Sequence, residues 1–285
     1  MNIQWFPGHM TKTMRLIKEN IKSVDIVIEI LDARIPKSSK NPEIDAIIGD
    51  KKRLVVLNKS DIADKAETEK WIKHFEKNGI CAIAVSSTQG KSLNIILDKC
   101  KSILSDKIEA WKKRGIVNRR LKIMVVGVPN VGKSSFINKL ANKKSAKTGD
   151  KPGVTRGKQW ISLSSGFELL DTPGVLWPKF DDQTVGMRLA FTGAVKDEII
   201  DTEVLGMRLL EFLKENYPNT LAERYKMTDF ETLDGFRMLE QLGRKRGFVV
   251  SGGEIDTLRA ANVLLDEFRA AKLGKITLDR AVEEV

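Results

Sequence analysis

The sequence predicts an α/β fold with a mostly parallel sheet, followed by an all-helical C-terminal domain. Between residues 24 and 170, short apolar segments rich in β-branched residues alternate with segments of helical periodicity, a pattern typical of βαβ units. One strand-to-helix junction, residues 127–134, carries the pattern G-x-x-x-x-G-K-S. From residue 181 onward the periodicity is wholly helical. We therefore expect two domains, residues 1–178 and residues 179–285.

Each element of the first domain is predicted from its local pattern. The first helix spans residues 10–22, because Met10, Met14 and Ile17 recur at helical spacing. Since the carboxyl ends of parallel strands lie at one edge of a sheet, polar motifs that follow the strands should form one site. The predicted strands are 24–31, 53–57, 80–85, 121–126, 159–163 and 167–170, and the other helices are 41–48, 65–78, 91–107 and 135–141, with a basic connector over 111–122.

Residues 127–134 are predicted to form a phosphate-binding loop between a strand and a helix. The glycines allow backbone N–H groups to close around phosphates, Lys133 reaches the β/γ oxygens, and Ser134 ligates Mg²⁺. The alternative is an ordinary glycine-rich turn. The pattern predicts a P-loop NTPase whose nucleotide contacts come from Asn130, Val131, Gly132, Lys133, Ser134 and Ser135.

The second predicted strand ends in the guanine-reading pattern N-K-x-D, at residues 58–61. A carboxylate at Asp61 accepts hydrogen bonds from N1–H and the 2-amino group of guanine, whereas adenine has no donor at those positions, so the pattern favours GTP over ATP. Ser86 and Ser87 follow the third strand, where small residues let the backbone contact guanine O6. Alternatives are an exposed turn for N-K-x-D and a plain strand-end turn for the serines. The predicted base contacts are Asn58, Lys59, Ser60, Asp61, Ser86 and Ser87.

The sixth predicted strand ends in Asp171-Thr172-Pro173-Gly174, which fits D-x-x-G. Asp171 would hold Mg²⁺ through water, and the Gly174 N–H would contact the γ-phosphate. Thr155 is the expected Mg²⁺-binding threonine, because it lies in a Gly- and Lys-rich loop between the phosphate loop and D-x-x-G. Its alternative role is a solvated loop hydroxyl. The expected Mg²⁺ ligands are thus Ser134, Thr155 and Asp171.

The order of the motifs predicts a circular permutation. In most GTPases the N-K-x-D segment and the serine-rich loop come last, whereas here both precede the phosphate loop. Restoring the usual order places the helix 10–22 directly after D-x-x-G. Residues 8–10 should therefore lie near the γ-phosphate.

The chain resembles the YlqF-type circularly permuted GTPases in six segments, taken in order: WFPGHM, LDARIP, NKSD, GVPNVGKSS, PGVT and DTPGVLWPK. The resemblance covers essentially the whole chain. It implies a GTP-binding and GTP-hydrolysing assembly factor that binds the precursor of the large (50S) ribosomal subunit and its rRNA. It also implies a role in late maturation, stimulation by the particle, and RNA binding by the helical domain.

Intrinsic hydrolysis is expected to be slow, because Val175 follows D-x-x-G where many GTPases carry a glutamine. His9 is the candidate for positioning the water, on the topological ground above and because it matches the family's proposed histidine. Its alternative role is packing beside Trp5 and Phe6. The catalytic candidates are His9, Lys133 and Gly174.

The resemblance also implies that Asn130 binds K⁺, which would supply positive charge at the β/γ bridge. The alternative is that an asparagine in a tight loop bonds its own backbone. The expected cofactors are accordingly GTP or GDP, Mg²⁺ and K⁺.

Composition narrows the class of partner. The chain has 49 Lys+Arg against 38 Asp+Glu, a net charge of +11, and this favours a polyanion such as RNA over a plain solvated basic surface. Cys81 and Cys100 lack C-x-x-C spacing, which is typical of idle thiols in a reducing compartment. No apolar run approaches the roughly 18 residues of a membrane span. We expect a cytoplasmic monomer.

Two other function classes fit parts of the sequence. A nucleotide-gated RNA-binding scaffold without turnover is compatible with Val175. A small-molecule or nucleotide kinase is disfavoured by Asp61 and by the lack of an acceptor-pocket motif. Measurement of GTP hydrolysis with and without large subunits separates the scaffold from the GTPase.

Overall fold

The computed structural model describes residues 8–86, 92–116, 118–140, 159–163, 166–195 and 200–281. Contacts divide this part of the chain into two compact units. We call residues 8–181 together with 277–281 the sheet unit, and residues 182–276 the helical unit. The division falls after residue 181, close to the predicted 178. Residues 277–281, which were expected in the helical domain, group with the sheet unit.

The sheet unit contains a six-stranded sheet of order β3-β2-β1-β4-β6-β5. All neighbouring strands are parallel except β5 and β6, which are antiparallel. The predicted fold class, α/β with a mostly parallel sheet, is confirmed. The strands are β1 (Ile26–Asp32), β2 (Arg53–Asn58), β3 (Cys81–Ala84), β4 (Leu121–Val126), β5 (Gln159–Ser162) and β6 (Phe167–Asp171).

The helices of this unit follow the predicted order with one correction. The segment predicted as one helix and a basic connector forms two helices that meet at Leu104, which is buried, whereas the second helix buries none of its residues. Leu104 has φ −101° and ψ 12°, which lies outside the helical range, so the helix is interrupted there. The helices are α1 (Gly8–Asn20), α2 (Pro42–Ile48), α3 (Lys65–Lys77), α4 (Ser92–Ile103), α5 (Ser105–Lys113) and α6 (Lys133–Leu140).

The core of the sheet unit explains why these strands form. All seven residues of β1 are buried, as expected for a central parallel strand covered on both faces. Helix α3 packs Trp71 and Phe75 against a cluster that includes Leu31, Val55 and Leu57. Burial of each such side chain contributes about 1.5–3 kcal/mol. The sheet is thus a rigid support for the loops at its carboxyl edge.

The helical unit consists of five helices within the described residues. Asp182, Asp201, Asp234 and Asp256 cap four of them by accepting hydrogen bonds from backbone N–H groups, which satisfies donors at the helix starts. No helix in the described part of the chain is long and apolar enough to span a membrane. The helices are α7 (Gln183–Phe191), α8 (Thr202–Asn216), α9 (Pro218–Tyr225), α10 (Gly235–Lys245) and α11 (Thr257–Arg269).

Candidate nucleotide-binding site

The phosphate loop connects β4 to α6, as predicted. A Cβ atom on Gly127 would lie 2.4 Å from the Ile30 carbonyl oxygen, so only glycine allows the loop to start this close to β1. Asn130 and Gly132 have positive φ angles of 58° and 93°, which fold the backbone back on itself. This conformation turns successive backbone groups inward, as an anion-binding loop requires.

Lys133 lies folded across the loop. Its Nζ donates hydrogen bonds to the carbonyl oxygens of Gly127 (3.1 Å) and Val128 (3.0 Å). Burial lowers the pKa of Lys133, and the nearby Asp171 carboxylate partly opposes that shift. Ser134 is half-buried and Ser135 is exposed in the first turn of α6. The ammonium group and the helix start together provide a positive site at the end of β4.

Asp171 ends β6 next to the phosphate loop, since it pairs with Val125 of β4. Its side chain is buried, and neither carboxylate oxygen has a hydrogen-bond partner among the described residues. Burial raises the pKa of Asp171, while Lys133 opposes the rise. A buried carboxylate without hydrogen bonds is costly unless a cation or its water shell approaches. The residues present therefore fit a Mg²⁺ ion at this position.

The D-x-x-G segment packs directly on the phosphate loop. A Cβ on Gly174 would lie 2.8 Å from both the Cα and the N of Pro129, and 2.9 Å from Lys133 Nζ. The Val175 N–H donates to the Gly127 carbonyl at 3.3 Å. The absence of a side chain at position 174 is therefore what lets the two segments touch.

The N-K-x-D segment is hydrogen-bonded to the same loop. Asn58 Nδ2 donates to the Val131 carbonyl (2.7 Å), and Lys59 Nζ donates to the Asn130 carbonyl (2.6 Å). The structure thus brings Lys59 and Lys133 to one loop, as the convergence of the motifs predicted.

The other described residues of the predicted base-binding set, Ser60, Asp61 and Ser86, lie in or beside this segment. The Ser60 N–H donates to the Val85 carbonyl at 3.1 Å, so the end of β3 supports the loop. Ser86 is buried and Asp61 half-buried. Ser87 and Thr155 lie outside the described residues, so their predicted roles stay predictions.

Asp32 and Arg34 also lie at this edge, but the sequence did not predict them as site residues. They entered the sequence analysis only as part of the LDARIP segment. Asp32 ends β1 opposite Asn58. Its carboxylate forms two hydrogen bonds with the Arg34 guanidinium, at 3.0 and 2.8 Å, and lies 3.0 Å from Lys59 Nζ. Burial alone would raise the pKa of Asp32, but Arg34 and Lys59 outweigh burial and hold it well below its usual range. One feature of the sequence could have identified this pair. Asp32 is a polar residue at the end of β1, and β1 lies between the strands that lead into N-K-x-D and into the phosphate loop.

The start of α1 lies against the residues that follow D-x-x-G, as the permutation argument predicted. The Leu176 N–H contacts Met10 Sδ at 3.5 Å, and Met10 is buried. The neighbouring His9 is exposed in the first turn of α1. Val175 is fully buried, and its carbonyl accepts a hydrogen bond from Asn41 Nδ2 at 3.2 Å. Its apolar side chain offers no group that could hold a water.

Because the base-reading and phosphate-binding segments share hydrogen bonds at one sheet edge, and the first precedes the second in the chain, the protein is a circularly permuted P-loop GTPase. The ribosome biogenesis GTPase A of Bacillus licheniformis is 46% identical over 280 residues, covering 98% of this chain and 99% of that protein. The protein of the same description from Thermotoga maritima is 31% identical over 278 residues, covering 98% and 94%. The chain belongs to the ribosome biogenesis GTPase A family.

Three further matches agree with this membership. A family model described as 50S ribosome-binding GTPase matches residues 122–221. A GDP-bound structure of YlqF superposes with a TM-score of 0.70 at 28% identity, covering 93% of this chain and 99% of that one. The GNP-bound crystal structure of YlqF from T. maritima gives a TM-score of 0.65 at 29% identity, covering 96% and 100%. The YlqF likeness extends over both units of the chain.

Proposed function

We propose that this protein binds the precursor of the large ribosomal subunit in its GTP form, hydrolyses GTP when the particle stimulates it, and then leaves. GTP binding is supported mainly by the two hydrogen bonds from Asn58 and Lys59 to the phosphate loop. The particle is proposed because the relatives are described as ribosome biogenesis GTPases and the family model as 50S-binding. We place this role late in maturation, in the cytoplasm, with the protein acting as a monomer.

In this proposal the guanine base is read by Asp61, with Ser60, Ser86 and Ser87 supplying backbone contacts. The phosphates are bound by backbone N–H groups of residues 130–135 and by Lys133. Mg²⁺ would be held by Ser134 and Thr155 and, through water, by Asp171, and it would neutralise charge on the β- and γ-phosphates. The buried carboxylate of Asp171, whose oxygens have no hydrogen-bond partner among the described residues, supports its part in this set.

His9 is proposed to position the attacking water. Its helix begins beside Leu176, because Met10 is buried against that residue, while the imidazole is exposed and accessible to an activating surface. His9→Ala should lower particle-stimulated turnover at least tenfold, about 1.4 kcal/mol of barrier, with GTP affinity unchanged. Lys12→Ala, an exposed change one turn along α1, is the control. Unchanged turnover in the His9 variant would remove the residue from the mechanism.

Asn130 is proposed to bind K⁺ beside the phosphates. Its positive φ of 58° also fits the simpler role of a loop asparagine, so the ion must be tested directly. Turnover measured at equal ionic strength in KCl and NaCl should be higher in KCl, and Asn130→Ala should abolish the difference. Equal rates of the unaltered protein in the two salts would exclude the K⁺ role.

The helical unit is proposed to bind rRNA through its basic surface. Arg244, Lys245 and Arg259 are exposed, whereas Arg246 pairs with Glu267 at 3.2 Å and Arg269 donates to the carbonyl oxygens of Phe191 and Ala190. The Arg259 guanidinium lies over the Phe248 ring, 4.6 Å from its centroid, so Arg244 and Lys245 are the better candidates for binding phosphates.

Salt dependence tests this surface. Removal of one phosphate-binding side chain should reduce the slope of log K against log salt by about 1. The double variant Arg244→Ala, Lys245→Ala should thus reduce the slope by about 2. Arg208→Ala on α8 is the control: this exposed arginine is already paired with Glu211, so its removal should leave the slope nearly unchanged. Salt-independent binding would indicate a protein partner instead.

Cosedimentation with large-subunit precursors tests the cycle as a whole. Binding should be strong with a non-hydrolysable GTP analogue and weak with GDP. A nucleotide-gated scaffold without turnover is the second candidate, favoured by the buried Val175. It would show the same nucleotide-dependent binding, but the particle would not raise the rate of phosphate release.

A further inference from the structure

The chain returns to the sheet unit after the helical unit, and the returning segment is buried. Thr277 and Leu278 have no exposed surface, and Asp279 is 1% exposed. We call residues 277–281 the strap. Such burial is unusual for a segment outside any helix or strand and indicates specific polar contacts.

One side of the strap is bonded to the loop after β1. The Leu278 N–H donates to the Arg34 carbonyl at 2.7 Å. The Asp279 carboxylate accepts from the Ser38 N–H (2.6 Å) and from Ser38 Oγ (2.8 Å). This loop starts at Asp32, whose carboxylate contacts Lys59 of the N-K-x-D segment. The strap therefore supports the loop whose Asp32 contacts Lys59.

The other side of the strap is bonded to the loop after β2 and to α3. The Asp64 N–H donates to Thr277 Oγ1 at 3.0 Å, and Trp71 Nε1 donates to the Asp279 carbonyl at 2.9 Å. The Ala281 N–H donates to Glu67 Oε2 at 3.1 Å. The strap thus fixes the start of α3, which the chain reaches shortly after Asp61.

These contacts place Asp61 between two anchors. On one side, Ser60 is held by the Val85 carbonyl. On the other side, Asp64 is held by Thr277. A carboxylate that must meet two donors of a base in fixed directions depends on the rigidity of its loop, because each hydrogen bond weakens steeply with misalignment.

We infer that the strap is a specificity-determining element: Thr277 holds Asp64 at the end of the loop that carries Asp61, and Asp279 holds Ser38 in the loop whose Asp32 contacts Lys59. Together these contacts set the preference for guanine. The inference rests on the proposed reading of guanine by Asp61. It assigns to residues that follow the helical unit a role in the site of the sheet unit. None of them needs to touch the nucleotide.

Calorimetric titration with GDP and IDP tests the inference, because inosine lacks the 2-amino group that Asp61 should read. In the full chain, Asp279→Asn should raise the Kd for GDP about tenfold, because the two hydrogen bonds from Ser38 lose their charged acceptor. The Kd for IDP should rise much less, so the preference for GDP falls. Thr277→Val, which keeps the shape and charge of the strap, should act in the same direction by a factor of about three.

Asp266→Asn is the matched control, since it makes the same charge change on an exposed residue of α11. The titrated stoichiometry reports the folded fraction, so partial unfolding of a variant is separated from a change in Kd. If the unaltered chain binds GDP and IDP alike, the assignment of Asp61 is wrong. If it prefers GDP and both strap variants keep that preference, or lose GDP and IDP affinity equally, the strap has no part in specificity.

Discussion

Replacement of Asp32 by Asn should destabilise the sheet unit, because Asp32 joins two cations at the nucleotide edge. The Asp32 and Arg34 side chains are only 2% and 3% exposed, and their closest N–O distance is 2.8 Å. Lys59, the second cation, is 25% exposed. Asn is isosteric with Asp, so the substitution removes the charge and leaves the volume.

The expected cost follows from this burial. Loss of one partner of a buried ion pair costs about 3–5 kcal/mol, because the remaining charge stays desolvated. The Asn oxygen can still accept one hydrogen bond, and the contact with the more exposed Lys59 adds little. We therefore expect the free energy of unfolding to fall by about 3 kcal/mol.

Tryptophan fluorescence during urea unfolding measures this cost. Residues 182–276 contain no tryptophan, whereas Trp71, Trp111 and Trp177 belong to the sheet unit, so tryptophan emission reports on the sheet unit. With a slope of about 2 kcal/mol per M urea, a decrease of about 3 kcal/mol moves the midpoint by about 1.5 M. Asp106→Asn, at an exposed carboxylate in the first turn of α5, is the control.

The pH dependence gives a second check on the same variant. The folded-state pKa of Asp32 is held well below its usual value, so its stabilisation is complete above about pH 4 and decreases as the pH falls further. The difference in stability between the unaltered protein and the variant should therefore be constant from about pH 5 to 8 and shrink only below about pH 4. A destabilisation under about 1 kcal/mol at neutral pH would refute the reasoning, since it would mean that the pair is not desolvated.

Three other substitutions test separate parts of the structure. Gly174→Ala should weaken binding of a GTP analogue more than that of GDP, because its Cβ would lie 2.8 Å from Pro129 backbone atoms and push the segment off the loop. The titration with GDP is the internal control, and equal weakening for both nucleotides would contradict the γ-phosphate role. Asp61→Asn should shift preference from guanosine to xanthosine nucleotides in competition binding, and a failure to shift would undo the base-reader assignment. Burial raises the pKa of Glu29 from 4.5 to about 7, so between these values the folded state binds a proton that the unfolded state has lost. The free energy of unfolding should therefore fall as the pH rises from about 5 to 7. Glu29→Gln should abolish this pH dependence in urea unfolding, and an unchanged dependence would assign the effect to another group.

The sheet and most of its site could be predicted because their signals are local. Each strand is a short apolar segment rich in β-branched residues, and each motif follows a strand directly, so the parallel arrangement alone brings the motifs together. The break at Leu104 was missed because helical periodicity continues across it.

The strap and the Asp32 pair depend on information that no local pattern contains. Asp279 contacts Ser38 across 241 positions of sequence, and the residues around it show neither helical nor strand periodicity. The contact of Asp32 with Lys59 depends on the register that sets Asp32 opposite Asn58. The register between two strands is set when their apolar faces are buried together, so it cannot be read from the sequence of one strand alone.

The return of the chain to the sheet unit has a consequence for translation. Residues 277–281 are made after all of α7–α11, so a nascent chain that has released every nucleotide motif still lacks the segment that bonds Ser38, Asp64 and Trp71. Those polar groups remain open to water until the helical unit has emerged from the exit tunnel. Completion of the sheet unit is therefore coupled to synthesis of the helices that interrupt it.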